Sequence, residues 1–199
     1  LYPASWALTL FGFHRIIGWG ADPTQVWLQT TAVLVPVYFL LEWRFPLQKR
    51  WAMTWASLWV DLRYIVVNGA AGAAVSAALG VFAISTAGRA DWPALHWPIG
   101  LQLLACLMIF EFINYHLHRA MHQMPGPIGR FLWLAHAAHH LPPRLYLVVH
   151  AVFHPINGAL VQALCLVLPI WFMGYDPRAV AMFFMVNGMH GLISHFNVD

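Results

Sequence analysis

Charged residues are scarce in this sequence, where Asp, Glu, Lys and Arg together make up only 9% of 199 residues. A soluble globular chain has about 25% charged residues and about 45–50% apolar residues. Here the apolar share is 61% and the mean hydropathy is +0.65. The composition therefore excludes an ordinary soluble domain and predicts an integral membrane protein with room for one domain, residues 1–199.

Cysteine is also scarce, with only Cys106 and Cys165 present, and both lie inside apolar runs. Such thiols behave as small hydrophobic groups, so we expect neither a disulfide framework nor a cysteine metal site. The ten Lys and Arg residues are scattered at the ends of apolar runs, and the net charge is only +3. This pattern is typical of charges that flank membrane spans, and it predicts contact with membrane lipids and none with nucleic acid.

Apolar runs of sufficient length predict the fold. The segment 6–19 is too short to cross about 30 Å of hydrocarbon, so we expect an interfacial or re-entrant helix there. The longer runs are 26–43, 64–87, 156–173 and 179–196, with a break at 88–93. A further helix is predicted over 99–123, apolar to residue 110 and polar after it. We predict an all-α bundle of four to five transmembrane helices, in which residues 1–98 supply the N-terminal spans and residues 99–199 a histidine-rich region.

Basic residues are unequally divided between the two ends of these predicted spans. Arg15, Arg89 and Arg178 fall at one end. The other end, where the histidines lie, carries Arg44, Lys49, Arg50, Arg63, Arg119, Arg130 and Arg144. The positive-inside rule then predicts a cytoplasmic histidine-rich cap, at the inner membrane if the protein is bacterial.

Histidine is the abundant polar residue, with twelve copies, and two groups of them have helical spacing. His118 and His122 are four residues apart, and His136, His139 and His140 follow an i, i+3, i+4 pattern, so each group gathers on one side of a helix. A single histidine in an apolar helix is usually a hydrogen-bonded core residue. Five at these spacings predict a metal site, because unpaired polar groups at membrane depth cost several kcal/mol each.

Five landmarks in the C-terminal half resemble the fatty acid hydroxylase/sterol desaturase superfamily. In chain order they are Glu111-Phe-Ile-Asn-Tyr115-His-Leu-His118-Arg-Ala-Met-His122, Leu132-Trp133 before His136-x-x-His139-His140, Arg144-Leu145-Tyr146, Phe153-His154-Pro155, and His195-Phe196-Asn197-Val198-Asp199. A single H-x-x-x-H motif is a weak signal, whereas this ordered series is specific. The resemblance covers residues 111–199.

The resemblance implies a membrane-embedded, non-haem di-iron enzyme that hydroxylates or desaturates a C–H bond of a sterol, carotenoid or fatty-acyl lipid. It would use O2 and electrons from a ferredoxin- or cytochrome-type protein, and zinc could replace iron in a purified sample. The implied ligands are His118, His122, His136, His139, His140 and His195. Residues expected to support the ligands are Glu111, Tyr115, His154, His190 and Asn197.

The chain also departs from the family pattern, with Leu141 where relatives usually have serine and His116 where they have tryptophan. Relatives carry a third H-x-x-H-H box after the last span, and this sequence stops at Asp199 before such a box. We therefore expect an incomplete metal site in this chain, which is either part of a longer protein or a shortened member.

A non-enzymatic role is the alternative to a lipid oxygenase. The 11 tryptophans and the isolated His14, His96 and His150 would suit a membrane subunit of a larger complex. Its histidines would then bind haem, a pigment or a structural metal.

Overall fold

The computed structural model describes residues 2–85 and 92–198, and these residues form a helical bundle. The helices are α1 (Tyr2–Ile17), α2 (Pro23–Arg44), α3 (Trp55–Ser85), α4 (Ile99–Gln123), α5 (Gly126–His140), α6 (Pro155–Leu160), α7 (Leu168–Met173) and α8 (Pro177–Ser194). A π-helical segment, Val161–Val167, joins α6 to α7, and Leu147–Ala151 forms a 3-10 turn. The described residues contain no β-strand, which confirms the all-α prediction. Arg89, Asp199 and most of the predicted break at 88–93 lie outside the described residues.

Local sequence signals explain where several helices begin and end. Asp22 precedes α2 and Asp176 precedes α8, and each carboxylate accepts a hydrogen bond from a backbone N–H of the first turn, at 2.7 and 2.8 Å. The next residue in each case is a proline, which needs no hydrogen-bond acceptor at that position. Gly174 ends α7 with a φ of +65°, a conformation that glycine adopts without strain.

Four helices are long and apolar enough to cross a membrane. They are Pro23–Arg44, Trp55–Val81, Ile99–Gln123 and Pro155–Met173. Apolar side chains on α3 are widely exposed, with Val66 and Val81 each 70% accessible, as expected for a surface that faces lipid. The chain is therefore a membrane protein, and the prediction of four to five spans is confirmed.

The fifth predicted span, residues 179–196, corresponds to α8, which is not among these four helices. It packs against α1, α2 and α4 and lies at the centre of the bundle. Phe183 on α8 is fully buried, and its ring centroid is 5.3 Å from that of Phe110 on α4. This packing holds the C-terminal end of α8, which carries His190 and His195, beside α4.

A buried carboxylate ties three segments together at the histidine end of the bundle. Glu42, near the end of α2, accepts hydrogen bonds from the Leu147 amide at 2.9 and 3.0 Å and from the Asn197 amide at 2.9 Å. The Asn197 side chain in turn hydrogen-bonds both the amide and the carbonyl of Gln48. The side-chain amide of Asn197, which was expected to support the metal ligands, therefore hydrogen-bonds the loop after α2.

Candidate metal centre

A tight turn between α4 and α5 brings two histidine pairs together. Gly126 has a φ of +78°, and a Cβ on Gly129 would lie 1.6 Å from the carbonyl oxygen of Met124. These two positions therefore require glycine for the turn to be this close. As a result α5 folds back against α4, with its histidines beside those of α4.

Four imidazoles converge at this contact. His118, His122, His136 and His140 each present a ring nitrogen, and these four nitrogens all lie within 4.8 Å of one another. The Nε2 atoms of His118 and His122 are 3.1 Å apart, and those of His136 and His140 are 2.9 Å apart. The two pairs face each other, since the ring centroids of His118 and His136 are 4.6 Å apart and those of His122 and His140 are 4.9 Å apart. We call these residues the histidine quartet.

Hydrogen bonding fixes the orientation of His136, the most buried member of the quartet at 2% exposure. Its Nδ1 lies 3.0 Å from the Oδ1 of Asn157, an acceptor, so Nδ1 carries the proton and the lone pair is on Nε2. Burial, with the neighbouring imidazoles, lowers the pKa of His136 to about 4. The ring is therefore neutral at pH 7, which is the form that binds metals.

The predicted ligands His139 and His195 lie beside the quartet instead of inside it. His139 donates from Nδ1 to the carbonyl oxygen of Val152 at 3.1 Å, and its ring stacks on Phe153 with centroids 4.6 Å apart. Its centroid is 6.0 Å from that of His136 and 5.5 Å from that of His195. Burial lowers the pKa of His139 as well, which favours the neutral ring, the form that binds metals.

The residues expected to support the ligands have different positions. Glu111 and His190 line the same cavity as the histidines. Tyr115 is 58% exposed and contacts the ring of its neighbour His116. His154 caps α6, where its Nδ1 accepts a hydrogen bond from the Ile156 amide at 3.2 Å. Glu111 and His190 thus line the cavity, whereas the side chain of His154 caps a helix.

A cavity of about 340 Å³ adjoins the histidines between α4, α8 and the π-helical segment. Its wall is partly apolar, with Phe110, Leu117 and Phe153 among its residues, and partly polar, with Glu111 and Asn114. Small-molecule sites typically have volumes of about 300–1,000 Å³. The cavity can therefore hold part of a lipid, with both an apolar and a polar portion.

Sequence patterns missed two residues that contact members of the quartet. Asn157, which orients His136, follows the Phe153-His154-Pro155 landmark but lies on a different helix from its partner. Trp133 stacks on the quartet member His140, with ring centroids 6.1 Å apart and planes inclined by 23°. Trp133 is part of a landmark, but its position beside His140 depends on how α5 packs.

The quartet suits a transition metal. Its donors are four imidazole nitrogens, and no carboxylate or thiol belongs to the group. Imidazole suits iron, zinc, copper and nickel, whereas magnesium and calcium prefer oxygen ligands. The donor set thus fits iron without selecting it over zinc.

Comparisons with known proteins agree with this chemistry. Residues 103–199 match the family model described as fatty acid hydroxylase, a range that contains every residue of the quartet. The chain is also similar to the ornithine lipid hydroxylase OlsE of Rhizobium tropici, with 28% identity over 184 residues that cover 87% of this chain and 52% of that protein. The chain thus spans about half the length of the curated relative it matches. No solved structure matches the chain significantly.

Proposed function

We propose that the protein is an iron-dependent oxygenase that hydroxylates a membrane lipid, because residues 103–199 match the fatty acid hydroxylase family model. The observation that carries this proposal is the histidine quartet, which lies within the matched range and borders a partly apolar cavity. The four helices that are long and apolar enough to cross a membrane support a site within reach of lipid. The haem- or pigment-binding alternative has no comparable support. A haem iron needs at most two axial imidazoles, whereas four imidazoles converge here.

The reaction would convert a C–H bond, O2, two electrons and two protons into a C–OH group and water. Iron bound by the histidines would supply the electron transfer that activates O2. Within this scheme Asn157 holds His136 in the tautomer that presents Nε2, and Trp133 packs against His140. The apolar wall of the cavity would hold the substrate chain and keep water from the reacting carbon.

We assign the quartet to one iron and the predicted ligands His139 and His195 to a second. The support is their position, since His139 is the neighbour of a quartet residue and its ring lies 5.5 Å from that of His195. Both rings also line the cavity that would receive the lipid. The two ions would then share one substrate site.

The substrate we propose is a polar membrane lipid, and an ornithine lipid is the first compound to test because the relative's name specifies one. The polar side chains of Glu111 and Asn114 in the cavity are suited to a group that carries hydrogen-bond donors. We further infer that electrons come from a ferredoxin- or cytochrome-type protein. The basic residues around the histidine end favour a cytoplasmic location for that end.

The test is a lipid assay under isotopically labelled O2. Membranes that contain the full-length protein and an electron donor are incubated with ornithine lipid, and the lipids are examined by mass spectrometry. We expect a product that carries one labelled oxygen atom, and none with the matched His122→Ala membranes. Absence of labelled lipid from wild-type membranes, with sterol and fatty-acyl lipids also present, would contradict the proposed activity.

A further inference from the structure

His150 is a half-buried histidine outside both helical spacing groups, and its Nδ1 lacks a hydrogen-bond partner. Among the described residues, no group hydrogen-bonds its Nδ1, which is shielded from solvent. Buried polar atoms normally have a partner, because losing hydration without replacement costs free energy. The Nδ1 of His150 is therefore available to a ligand.

The bundle leaves space for this ring. A Cβ on Gly191 of α8 would lie 2.3 Å from the Nε2 of His150, so any side chain larger than hydrogen at position 191 would collide with the imidazole. The ring centroid of His150 is 4.9 Å from that of His195. Gly191 thus allows His150 to approach a predicted metal ligand closely.

His139 and His195 each have a nitrogen free for the same ligand. The Nδ1 of His139 donates to the carbonyl oxygen of Val152. The Nδ1 of His195 lies 2.9 Å from the Ser194 hydroxyl, which donates its own proton to the Gly191 carbonyl oxygen, and 3.3 Å from that carbonyl oxygen. With these protons on Nδ1, the lone pair of each ring is on Nε2. Both rings and that of His150 line the cavity beside the quartet.

We propose that His150 is the third protein ligand, beside His139 and His195, of the second metal ion. This inference rests on the proposed function, because it concerns the second iron of the same centre. Three imidazoles give that ion nitrogen donors of the same type as those of the quartet, and they leave coordination positions open. The 3-10 turn Leu147–Ala151, which no histidine motif marks, would then be part of the metal centre.

The test compares metal content in the full-length protein purified in detergent. Each protein is stripped of metal, loaded anaerobically with ferrous iron, freed of weakly bound iron and measured by elemental analysis. We expect two ions per chain in the wild type and in the exposed control His96→Ala, and one in His150→Leu. Leucine removes the unpartnered nitrogen, so the metal-free variant should melt no lower than the metal-free wild type.

A measurement on the unaltered protein covers the case in which His150→Leu does not fold. Hydrogen exchange at the imidazole C2 position, followed by mass spectrometry, should be slower for His150 in the iron-loaded wild type than in the metal-free wild type. Two ions in His150→Leu, or an unchanged exchange rate, would overturn the inference. If the wild type bound one ion and His122→Ala bound none, the inference about His150 would be overturned and the assignment of the quartet would stand. If the wild type bound no ion, both proposals would be overturned.

Discussion

Replacing Glu42 with Ala should destabilise the histidine end of the bundle. The carboxylate is the acceptor for two buried amides, those of Leu147 and Asn197, at distances of 2.9–3.0 Å. Each buried N–H left without an acceptor costs about 1–3 kcal/mol, so the variant should lose about 2–6 kcal/mol of unfolding free energy. At about 2–4 °C per kcal/mol for a chain of this size, Tm should fall by roughly 4–24 °C.

A melting curve of the detergent-purified, metal-free protein measures this loss. Glu42→Gln keeps one acceptor oxygen and should fall between the wild type and Glu42→Ala. Glu111→Gln is the matched control, because it changes an exposed carboxyl on α4 and should shift Tm by less than about 2 °C. If Glu42→Ala melts within about 2 °C of the wild type, the two amides do not depend on this carboxylate and the reasoning is wrong.

Three further predictions concern the quartet. His122→Ala should lower bound iron and abolish lipid hydroxylation, whereas the exposed His96→Ala should change neither, as elemental analysis and the lipid assay would show. Asn157→Leu removes the acceptor that orients His136 and should weaken metal binding about 10–100-fold in equilibrium dialysis, while Asn157→Asp keeps an acceptor oxygen and should lose less. Because burial depresses the pKa of His136 to about 4, below its unfolded value, the unfolding free energy of the metal-free protein should be highest above about pH 6.5. It should decline as the pH falls from there towards 4, as denaturant titrations at each pH would detect.

Local signals in the sequence were sufficient for the helical framework. The Asp-Pro pairs at 22–23 and 176–177 set the starts of α2 and α8, because the capping carboxylate and the proline act within one turn. Apolar length likewise predicted the four membrane-spanning helices. The apolar run 179–196 was also predicted to be a span, and it corresponds to α8, a helix with many buried residues that is not among these four.

Histidine spacing predicted the quartet only in part. His139 and His140 are consecutive residues, so their side chains point about 100° apart around α5. His140 turns towards His122, and His139 turns towards Phe153 and His195. One face of α5 therefore cannot carry both His139 and His140, although each of them lies within one helical turn of His136.

Tertiary packing determines the rest of the site, and no periodic pattern encodes it. His150 lies in a 3-10 turn, and its approach to His195 depends on the hydrogen bonds of Glu42 and on the glycine at position 191. Asn157 reaches His136 because α6 packs against α5. Contacts of this kind join residues from different helices and become visible only in the folded chain.

X-ray absorption spectroscopy at the iron K-edge tests the central claim most directly. The claim is that the imidazoles of His118, His122, His136 and His140 bind iron together. The iron-loaded wild-type protein should give a first coordination shell dominated by nitrogen, with the outer-shell multiple scattering that imidazole rings produce, and His136→Ala should weaken that scattering. A shell without the imidazole signature, or a wild-type spectrum unchanged in His136→Ala, would contradict the account.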